Sequence, residues 1–408
     1  MKMALRKELI IANIFLLNVI LGAGLATSLL SVYLKSIGLS LGNVGLIYAF
    51  GAILAGFLRL PIGTAVDCIG KRNFVIVGAI GFPLFAIGIT FAKTVPQFIG
   101  LDILLELFAA VCWTAFSAHY FDILRKGKEG VEMAQRNLFY YSASAAAPLL
   151  AGIIADRLGF TTLFYISALI SAIGIPIAAA GIKDHNKVKG SVCFKDFSHE
   201  YSNILKIKGY KTIFAVLFVN NLTWTFWAIY MPIFLNNSGF NFSQIGLVMT
   251  AVLVSGAIIQ LPLGKIIDKY PAKWILIPGF ALVFLGGWMF FAFKNYFTYL
   301  AGRVVAGLGW DLGYWPATGL FAKITPREEH GGAWAALMAG SGIAYGIGAL
   351  TGGFLTERYG ISKVLFASAF AAFLFSIALI SSKVLAGKAQ KHYKRHHFIH
   401  HTIRHRTK

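Results

Sequence analysis

The chain of 408 residues is 57% hydrophobic and only 13% charged, with a mean hydropathy of +0.71. This composition has too little charged surface to enclose a soluble globule of this length, so it predicts a chain that lies in a bilayer. The formal net charge of +21 comes mainly from loops and a tail on one side of that bilayer, which leaves little for a nucleic-acid interface to explain.

Apolar runs of roughly 20 residues recur along the chain, and each is long enough to cross about 30 Å of hydrocarbon as a helix. The predicted spans are 9–34, 41–66, 73–92, 96–124, 131–155, 161–182, 211–235, 243–267, 274–293, 296–322, 331–355 and 361–384. The predicted fold class is an all-α integral membrane protein of twelve transmembrane helices. Six helices form the half 1–183 and six form the half 211–385, with a linker at 184–210 and a tail at 386–408.

Lysine and arginine predict the orientation of these spans. The chain has 37 such residues, and most of them lie at the N-terminus, in alternate loops and in the tail. The opposite side holds Lys35, Lys93, Arg157, Lys294, Arg358 and Lys363. Because cytoplasmic loops carry the excess of positive residues, both termini are predicted to be cytoplasmic. The first span is predicted to be retained rather than cleaved as a signal peptide.

The segments 32–67 and 233–268 are near-copies of each other, 201 positions apart. The same offset relates the downstream segments 152–159 and 353–360. The chain is therefore a tandem duplication, and a duplicated hydrophobic chain predicts a transporter whose two halves surround one central site.

Between the second and third spans lies the pattern Gly63-x-x-x-Asp67-x-x-Gly70-Lys71-Arg72. This segment resembles the loop signature of the major facilitator superfamily. The family usually has a basic residue after the Asp and an Arg after the second Gly, where this chain has Cys68 and Lys71. The second copy, with Gly264 and Asp268, is more degenerate. The resemblance extends over residues 8–385.

The resemblance implies a role for this signature. Gly63 would allow two helices to approach closely, and Asp67, Lys71, Arg72 and Asp122 would form a polar cluster where the cytoplasmic ends of the halves meet. In the family such a cluster is thought to stabilise the outward-open state. The alternative is that Lys71, Arg72 and Asp122 are solvated loop charges.

The fifth span carries small residues at four-residue spacing, including Ala147 and Gly152, with Pro148 between them. This stretch is similar to the antiporter motif of the same family, which favours export in exchange for protons. Close packing of small residues and a kink at Pro148 explain the same pattern without any role in transport.

The resemblance also implies that spans 1, 4, 7 and 10 face the central cavity. Polar and aromatic residues are concentrated on these spans, and we expect them to bind the solute or the proton. The candidates are Asp102, Glu106, Trp113, Asn220, Asn221, Trp224, Trp227, Arg303, Trp310, Asp311 and Tyr314.

An ionised side chain in the middle of a membrane needs a partner, a water-filled cavity or a shifted pKa. Our hypothesis is that Arg303 pairs with Asp102 or Glu106 when the cavity closes, and that a proton on the carboxylate weakens the pair. The alternatives are a permanent ion pair that fixes two helices, or carboxylates at the headgroup level. Arg59 is a candidate for binding an anionic solute, or it extends to the membrane surface or the Asp67 cluster.

The linker has apolar residues at helical spacing among charged ones, which predicts an amphipathic helix on the inner membrane surface. In the tail, His392, His396 and His400 would share one face of a helix, a spacing that suits Zn²⁺, Ni²⁺ or Cu²⁺. The alternative is a basic tail held by anionic lipids.

The sequence thus predicts a proton-coupled secondary transporter that exports an amphipathic or aromatic compound by alternating access. The alternatives are uptake of an organic anion or other metabolite, and a non-transporting membrane sensor with a metal-binding tail. No enzyme active site is evident, and no cofactor is expected besides the proton gradient as energy source. The expected partners are a small-molecule substrate, protons and membrane lipids, for a monomer in the cell membrane.

Overall fold

The computed structural model describes residues 7–125, 128–184, 204, 206–325, 330–379 and 385. Within these residues every regular element is a helix. In chain order the helices are α1 Lys7–Thr27, α2 Leu30–Ser36, α3 Leu41–Ile69, α4 Lys71–Phe91, α5 Val95–Ile123, α6 Glu129–Gly181, α7 Tyr210–Asn237, α8 Phe242–Lys269, α9 Lys273–Ala292, α10 Tyr296–Ile324, α11 His330–Tyr359 and α12 Ile361–Ala378.

The longest helix, α6, contains a break that divides it in two. Gly159 has φ 81° and ψ 169°, a conformation open to glycine and strained for other residues. The arms 129–158 and 160–181 follow the predicted fifth and sixth spans. Conversely, helices α1 and α2 together form a single segment long enough to cross a membrane, Lys7–Ser36.

Ten helices in the described part of the chain are long and apolar enough to cross a membrane. One of these, Val131–Gly181, contains the break in α6, and its length of about 75 Å is enough for two crossings of roughly 30 Å. Helix α10 is not among the ten; it carries Arg303, Asp311 and Lys323. The predicted all-helical, multi-pass membrane architecture is confirmed.

The internal repeat extends to the residues that start the helices. Ser40 accepts a hydrogen bond from the Asn43 N–H (3.1 Å) at the start of α3. Its equivalent in the second half, Asn241, accepts one from the Gln244 N–H (2.8 Å) at the start of α8. Because both caps satisfy a free N–H of the first turn, each half begins its second span at the same point of the repeat.

The two halves contact each other mainly along two helix pairs, α3 with α11 and α6 with α8. Glycine allows the backbones to come close. A Cβ added to Gly246 of α8 would clash with the carbonyl oxygen of Pro148 in α6. In the other pair, a Cβ on Gly45 would clash with the carbonyl oxygen of Ala349.

At one end of these pairs, a carboxylate from each half caps a helix of the other half. Asp156 accepts hydrogen bonds from the backbone N–H groups of Phe242 (2.9 Å) and Ser243 (2.7 Å) at the start of α8. Glu357 accepts one from the Gly42 N–H (2.9 Å) at the start of α3. We call this region, defined by Gly42, Asp156, Ser243 and Glu357, the closed end.

At the opposite end the halves separate. Arg59 bonded to Met338 and Gln260 bonded to Tyr141 are the side-chain hydrogen bonds between the described parts of the halves that lie farthest from the closed end. A Cβ on Gly63 would meet nothing within 4 Å. The close helix approach predicted at Gly63 is therefore absent from this conformation.

Replacing Asp156 with alanine should destabilise the protein. The change removes the acceptor for two backbone N–H groups and for the Ser243 hydroxyl. Loss of a helix cap lowers the free energy of unfolding by about 0.5–2 kcal/mol. Thermal unfolding of the purified protein measures this. The control is Arg157→Ala at the exposed neighbouring position, and equal unfolding temperatures for both variants would contradict the capping role.

Two glycines of α8 should respond in opposite ways to alanine. In Gly246→Ala the new Cβ clashes with the backbone of Pro148, and overpacking of this kind costs about 1–3 kcal/mol. In Gly264→Ala the Cβ meets nothing within 4 Å, so the higher helix propensity of alanine should stabilise the protein by roughly 0.5–1 kcal/mol. Thermal unfolding in one detergent compares them. A more stable Gly246→Ala variant would be inconsistent with the close approach.

Candidate functional site

A cavity of ≈ 220 Å³ lies between the halves, on the side of the helix pairs away from the closed end. Its walls come from both halves, so it lies where the duplication of the sequence predicts a central site. The lining residues are Ala52, Arg59, Glu106, Asn221, Tyr314, Met338, Ser341, Gly342 and Tyr345.

Two charged side chains of the first half, Arg59 and Glu106, face this cavity. The Arg59 guanidinium donates from Nη1 to the carbonyl oxygen of Met338 in the second half (3.2 Å). The two charges form no ion pair within 4.0 Å; among the described residues such pairs occur at Lys71–Asp122 and Arg125–Glu132.

The second half contributes neutral polar groups and aromatic rings to the same cavity. The Asn221 amide donates to the Leu217 carbonyl oxygen (2.8 Å) and to the Ser341 hydroxyl (3.2 Å). Tyr314 and Tyr345 present rings with hydroxyl groups. A cavity with both charges, an amide and phenol rings suits a solute that has polar and aromatic parts.

Asp102 lies one helical turn from Glu106 on α5, away from the cavity lining. Its side chain is buried, and Oδ2 has no hydrogen-bond partner among the described residues. The carboxylate lies against α3, where a Cβ on Gly51 would clash with Oδ2. The predicted carboxylate pair is thus at the cavity wall, with Glu106 in contact with the cavity and Asp102 behind it.

In this conformation Arg303 forms no ion pair with Asp102 or Glu106, and their pairing when the cavity closes stays a prediction. No carboxylate of the described residues lies within 4.0 Å of its guanidinium. The guanidinium carbon instead lies 5.0 Å from the ring centre of Trp224, 5.7 Å from Trp227 and 5.1 Å from Trp310. The physical reason is that indole faces attract a cation, so the charge is held by rings of α7 and α10 rather than by α5.

Two further candidates, Trp113 and Asn220, pack helices together instead of lining the cavity. Trp113 packs against Phe82 and Phe116 inside the first half. The Asn220 amide donates to the Trp310 carbonyl oxygen (3.4 Å).

Asp311 accepts a hydrogen bond from Trp315 Nε1 (3.2 Å) and lies against Gly256 of α8. Its carboxylate is thereby held between two helices of the second half. Asp311 is absent from the lining of the cavity.

The loop signature places its charges within the first half. Lys71 forms an ion pair with Asp122, and Arg72 donates to the Ala179 carbonyl oxygen (2.9 Å). Asp184, which sequence reasoning missed, accepts from the backbone N–H groups of Lys71 (2.6 Å) and Arg72 (3.1 Å). Its only signal in the sequence is an acidic residue directly after the sixth span.

The glycines of the two copies of the signature are described, whereas their Asp side chains and the tail are not. Gly70 begins α4 with φ 111°, and Gly264 faces open space. The side chains of Asp67 and Asp268 are outside the described residues. Also outside the described residues are His392, His396 and His400 of the tail, and residues 185–203 and 205 of the linker.

The antiporter-like stretch of α6 forms the contact with α8. A Cβ on Gly152 would clash with the carbonyl oxygen of Phe242, and Pro148 offers its own carbonyl oxygen to Gly246. Ala147 faces the first half, where a Cβ on Gly24 would lie 2.6 Å from its methyl group. The small residues therefore pack helices at the closed end and do not line the cavity.

Comparison with known proteins identifies relatives over most of the chain. The family model described as Major Facilitator Superfamily matches residues 12–197 and 213–402. An uncharacterised MFS-type transporter of Methanocaldococcus jannaschii is 24% identical over 378 residues, covering 92% of this chain and 97% of that protein. The homologue of the multi-drug resistance efflux pump PmrA from Lactococcus lactis is 23% identical, covering 81% and 85%. The quinolone resistance protein NorA of Staphylococcus aureus is 29% identical over 152 residues, covering 37% and 39%.

Solved structures share the fold at low sequence identity. The nucleoside transporter NupG has a TM-score of 0.76 at 13% identity, with 92% of this chain and 99% of that chain covered. A bacterial homologue of the human lysosomal transporter Spinster, in an inward-facing and occupied conformation, has a TM-score of 0.70 at 12% identity, with 94% and 95% covered.

Proposed function

Since the chain belongs to the major facilitator superfamily and is a transporter rather than an enzyme, we propose that it exports an amphipathic or aromatic solute in exchange for protons. The observation that carries this proposal is the cavity between the halves, where Glu106 and Arg59 face tyrosine rings. Alternating access then means that the halves part at one end of this cavity at a time.

We place the chain in the cell membrane with twelve spans and both termini in the cytoplasm. The first span is α1 with α2, the fifth and sixth are the two arms of α6, and α10 is the tenth. The distribution of lysine and arginine supports this orientation. The closed end then faces outwards, and the cavity opens towards the cytoplasm, where a solute for export would enter.

Relatives support the direction of transport. By their names, the relative from Lactococcus lactis is a homologue of a multi-drug resistance efflux pump, and the relative from Staphylococcus aureus is a quinolone resistance protein. The antiporter-like residues of α6 also lie at the contact with α8, which must break when the closed end opens. Both observations favour export over uptake.

The coupling proton would bind at the carboxylates of α5. Glu106 is the acidic residue in the lining of the cavity, and Asp102 is one turn away and buried. A proton neutralises a charge that would otherwise be costly to move through the interior of the membrane. Proton binding at this pair is therefore the step that would link a pH gradient to the movement of the halves.

The remaining parts of the proposal concern partners. We propose a monomer that needs no cofactor and uses a small-molecule substrate and protons, with anionic lipids near the basic tail. The halves 1–183 and 211–385 act as the two moving bodies, joined by the linker. Because the chain belongs to a family of transporters, we propose transport and not the alternative of a non-transporting sensor.

Glu106→Gln should abolish solute accumulation driven by a pH gradient while leaving exchange of solute at equal pH on both sides. Glutamine keeps the size and hydrogen bonding of the side chain but takes up no proton. Efflux and exchange in proteoliposomes measure the two processes. Unchanged gradient-driven transport in both Glu106→Gln and Asp102→Asn would refute the assignment of the proton site.

A second candidate function, uptake of an organic anion, is favoured by the Arg59 guanidinium at the cavity. If the substrate is an anion, Arg59→Gln should raise its KM by roughly tenfold or more, because a hydrogen bond to a charged group is lost. Arg59→Lys serves as the matched control, since it retains the charge. If Arg59→Gln leaves the export of a cationic aromatic solute unchanged, the result supports export and contradicts uptake of an organic anion.

A further inference from the structure

The end of α8 and the start of α9 form an exposed basic surface at the end of the molecule opposite the closed end. Helix α8 runs from the closed end, at Ser243, to Lys269, a distance of about 39 Å at 1.5 Å per residue. Helix α9 begins four residues later, at Lys273. We define the α8–α9 surface by the residues Lys265, Lys269, Tyr270, Lys273 and Trp274.

The lysines of this surface carry positive charge that the described part of the chain does not neutralise. No carboxylate of the described residues lies within 4.0 Å of their ammonium groups. Residues 264–274 include three lysines and one acidic residue, Asp268, whose side chain is outside the described residues. The segment is therefore positive overall, and an anion would lower the repulsion between its lysines.

Two exposed aromatic rings lie beside the ammonium groups. Lys269 Nζ is 5.5 Å from the ring centre of Tyr270, and Lys273 Nζ is 5.0 Å from that of Trp274, a side chain that is 61% exposed. Helix α9 is long and apolar enough to cross a membrane from Lys273 onwards. Because exposed tyrosine and tryptophan at the ends of spans lie at the level of the lipid headgroups, these lysines are at that level too.

The exposed face of α8 changes from apolar to basic along its length. Leu247, Val254 and Ile258 are exposed, and the spacing of seven and four residues continues through Lys265 and Lys269, so all five share one face. From Ile258 to Lys269 the helix rises about 16 Å. A phospholipid has the same order, an acyl chain followed by a charged headgroup, so this face fits a lipid better than a soluble polyanion.

The internal repeat indicates that the fold does not need this surface. Apart from Lys273, its residues have no basic or aromatic counterpart in the first half: the equivalents of Lys265, Lys269, Tyr270 and Trp274 are Thr64, Cys68, Ile69 and Asn73. The equivalent of Lys273 is Arg72, which donates to a carbonyl oxygen inside its own half. Because both halves form the same helices, binding explains the lysines and rings of the second half better than packing does.

The C-terminal tail begins beside this surface and does not supply an anion to it. The Lys273 N–H donates to the Leu385 carbonyl oxygen (3.1 Å), and residues 386–408 follow Leu385 in the sequence. These residues include seven lysines and arginines and no aspartate or glutamate. The tail therefore adds positive charge, and an occupant of the surface has to come from elsewhere.

We propose that the α8–α9 surface binds the headgroup of an anionic phospholipid. The three ammonium groups hold the phosphate, the two rings lie against the glycerol region, and an acyl chain follows the apolar face of α8. With the orientation proposed above, the lipid belongs to the cytoplasmic leaflet, where anionic lipids attract basic segments. None of the five residues lines the central cavity, so this site goes beyond the proposed export function.

The test measures contact between Trp274 and lipid in vesicles that contain the full-length protein. Phosphatidylcholine and phosphatidylglycerol, each brominated on its acyl chains, quench the fluorescence of a tryptophan that they touch. The signal of Trp274 is the difference between each protein and its Trp274→Phe counterpart. In the wild type, phosphatidylglycerol should quench this signal at a mole fraction roughly tenfold or more below that of phosphatidylcholine, because several lysines attract its headgroup.

Three triple variants identify the source of this preference. Lys265→Gln, Lys269→Gln, Lys273→Gln should respond equally to the two lipids, whereas arginine at the same three positions should keep the preference. The matched control is Lys93→Gln, Lys294→Gln, Lys363→Gln, which removes the same charge from exposed positions on the opposite side and should respond as the wild type does. The tail is identical in all of these proteins, and both leaflets contain the lipid, so neither the tail nor the orientation produces a difference.

Equal quenching by the two lipids in the wild type overturns the proposal. So does a preference that persists in the folded Lys265→Gln, Lys269→Gln, Lys273→Gln protein, or one that the control loses to the same extent. If soluble glycerol phosphate abolishes the preference at the concentration of the lipid headgroup, the ligand is a soluble anion and the lipid assignment is wrong. The assay involves no transport, so its result is independent of the export proposal.

Discussion

The structure depends on a reciprocal contact in which each half caps a helix of the other. Asp156 and Glu357 each lie near the C-terminal end of their own helix, where a negative charge is unfavourable. Each carboxylate instead reaches the first N–H groups of α8 or α3, where a negative charge is favourable. The halves are therefore held together at one end by backbone groups, and the space at the other end follows from that attachment.

The repeat in the sequence predicts which helix ends are equivalent in the two halves, but it does not predict the contacts that their side chains make. The offset of 201 residues aligns Asp156 with Glu357 and identifies two equivalent helix ends. It does not tell which backbone N–H groups the carboxylates meet, since that depends on how the halves rotate against each other. Arg59 and Glu106 were predictable as buried charges, whereas their position on one cavity required the contact of α3 with α11.

Helical periodicity fails in a different way for the tryptophans. It places Trp113 on the face of α5 that carries Glu106, yet Trp113 packs against Phe82 of α4. Helix α5 is surrounded on several sides, so an apolar or aromatic residue does not reveal which neighbour it contacts. The surroundings of Arg303 were not predictable for a related reason, because three indole rings from two helices lie around its guanidinium and only their assembly shows it.

The contacts between the halves follow the internal repeat, whereas the buried charges of α5 and α10 do not. The caps and the close glycine contacts occur as equivalent pairs, so opening the closed end requires breaking similar interactions in both halves. Asp102 and Arg303 occupy equivalent positions with opposite charge. If both residues were acidic, two buried negative charges at the same depth would repel each other and oppose the approach of α5 and α10.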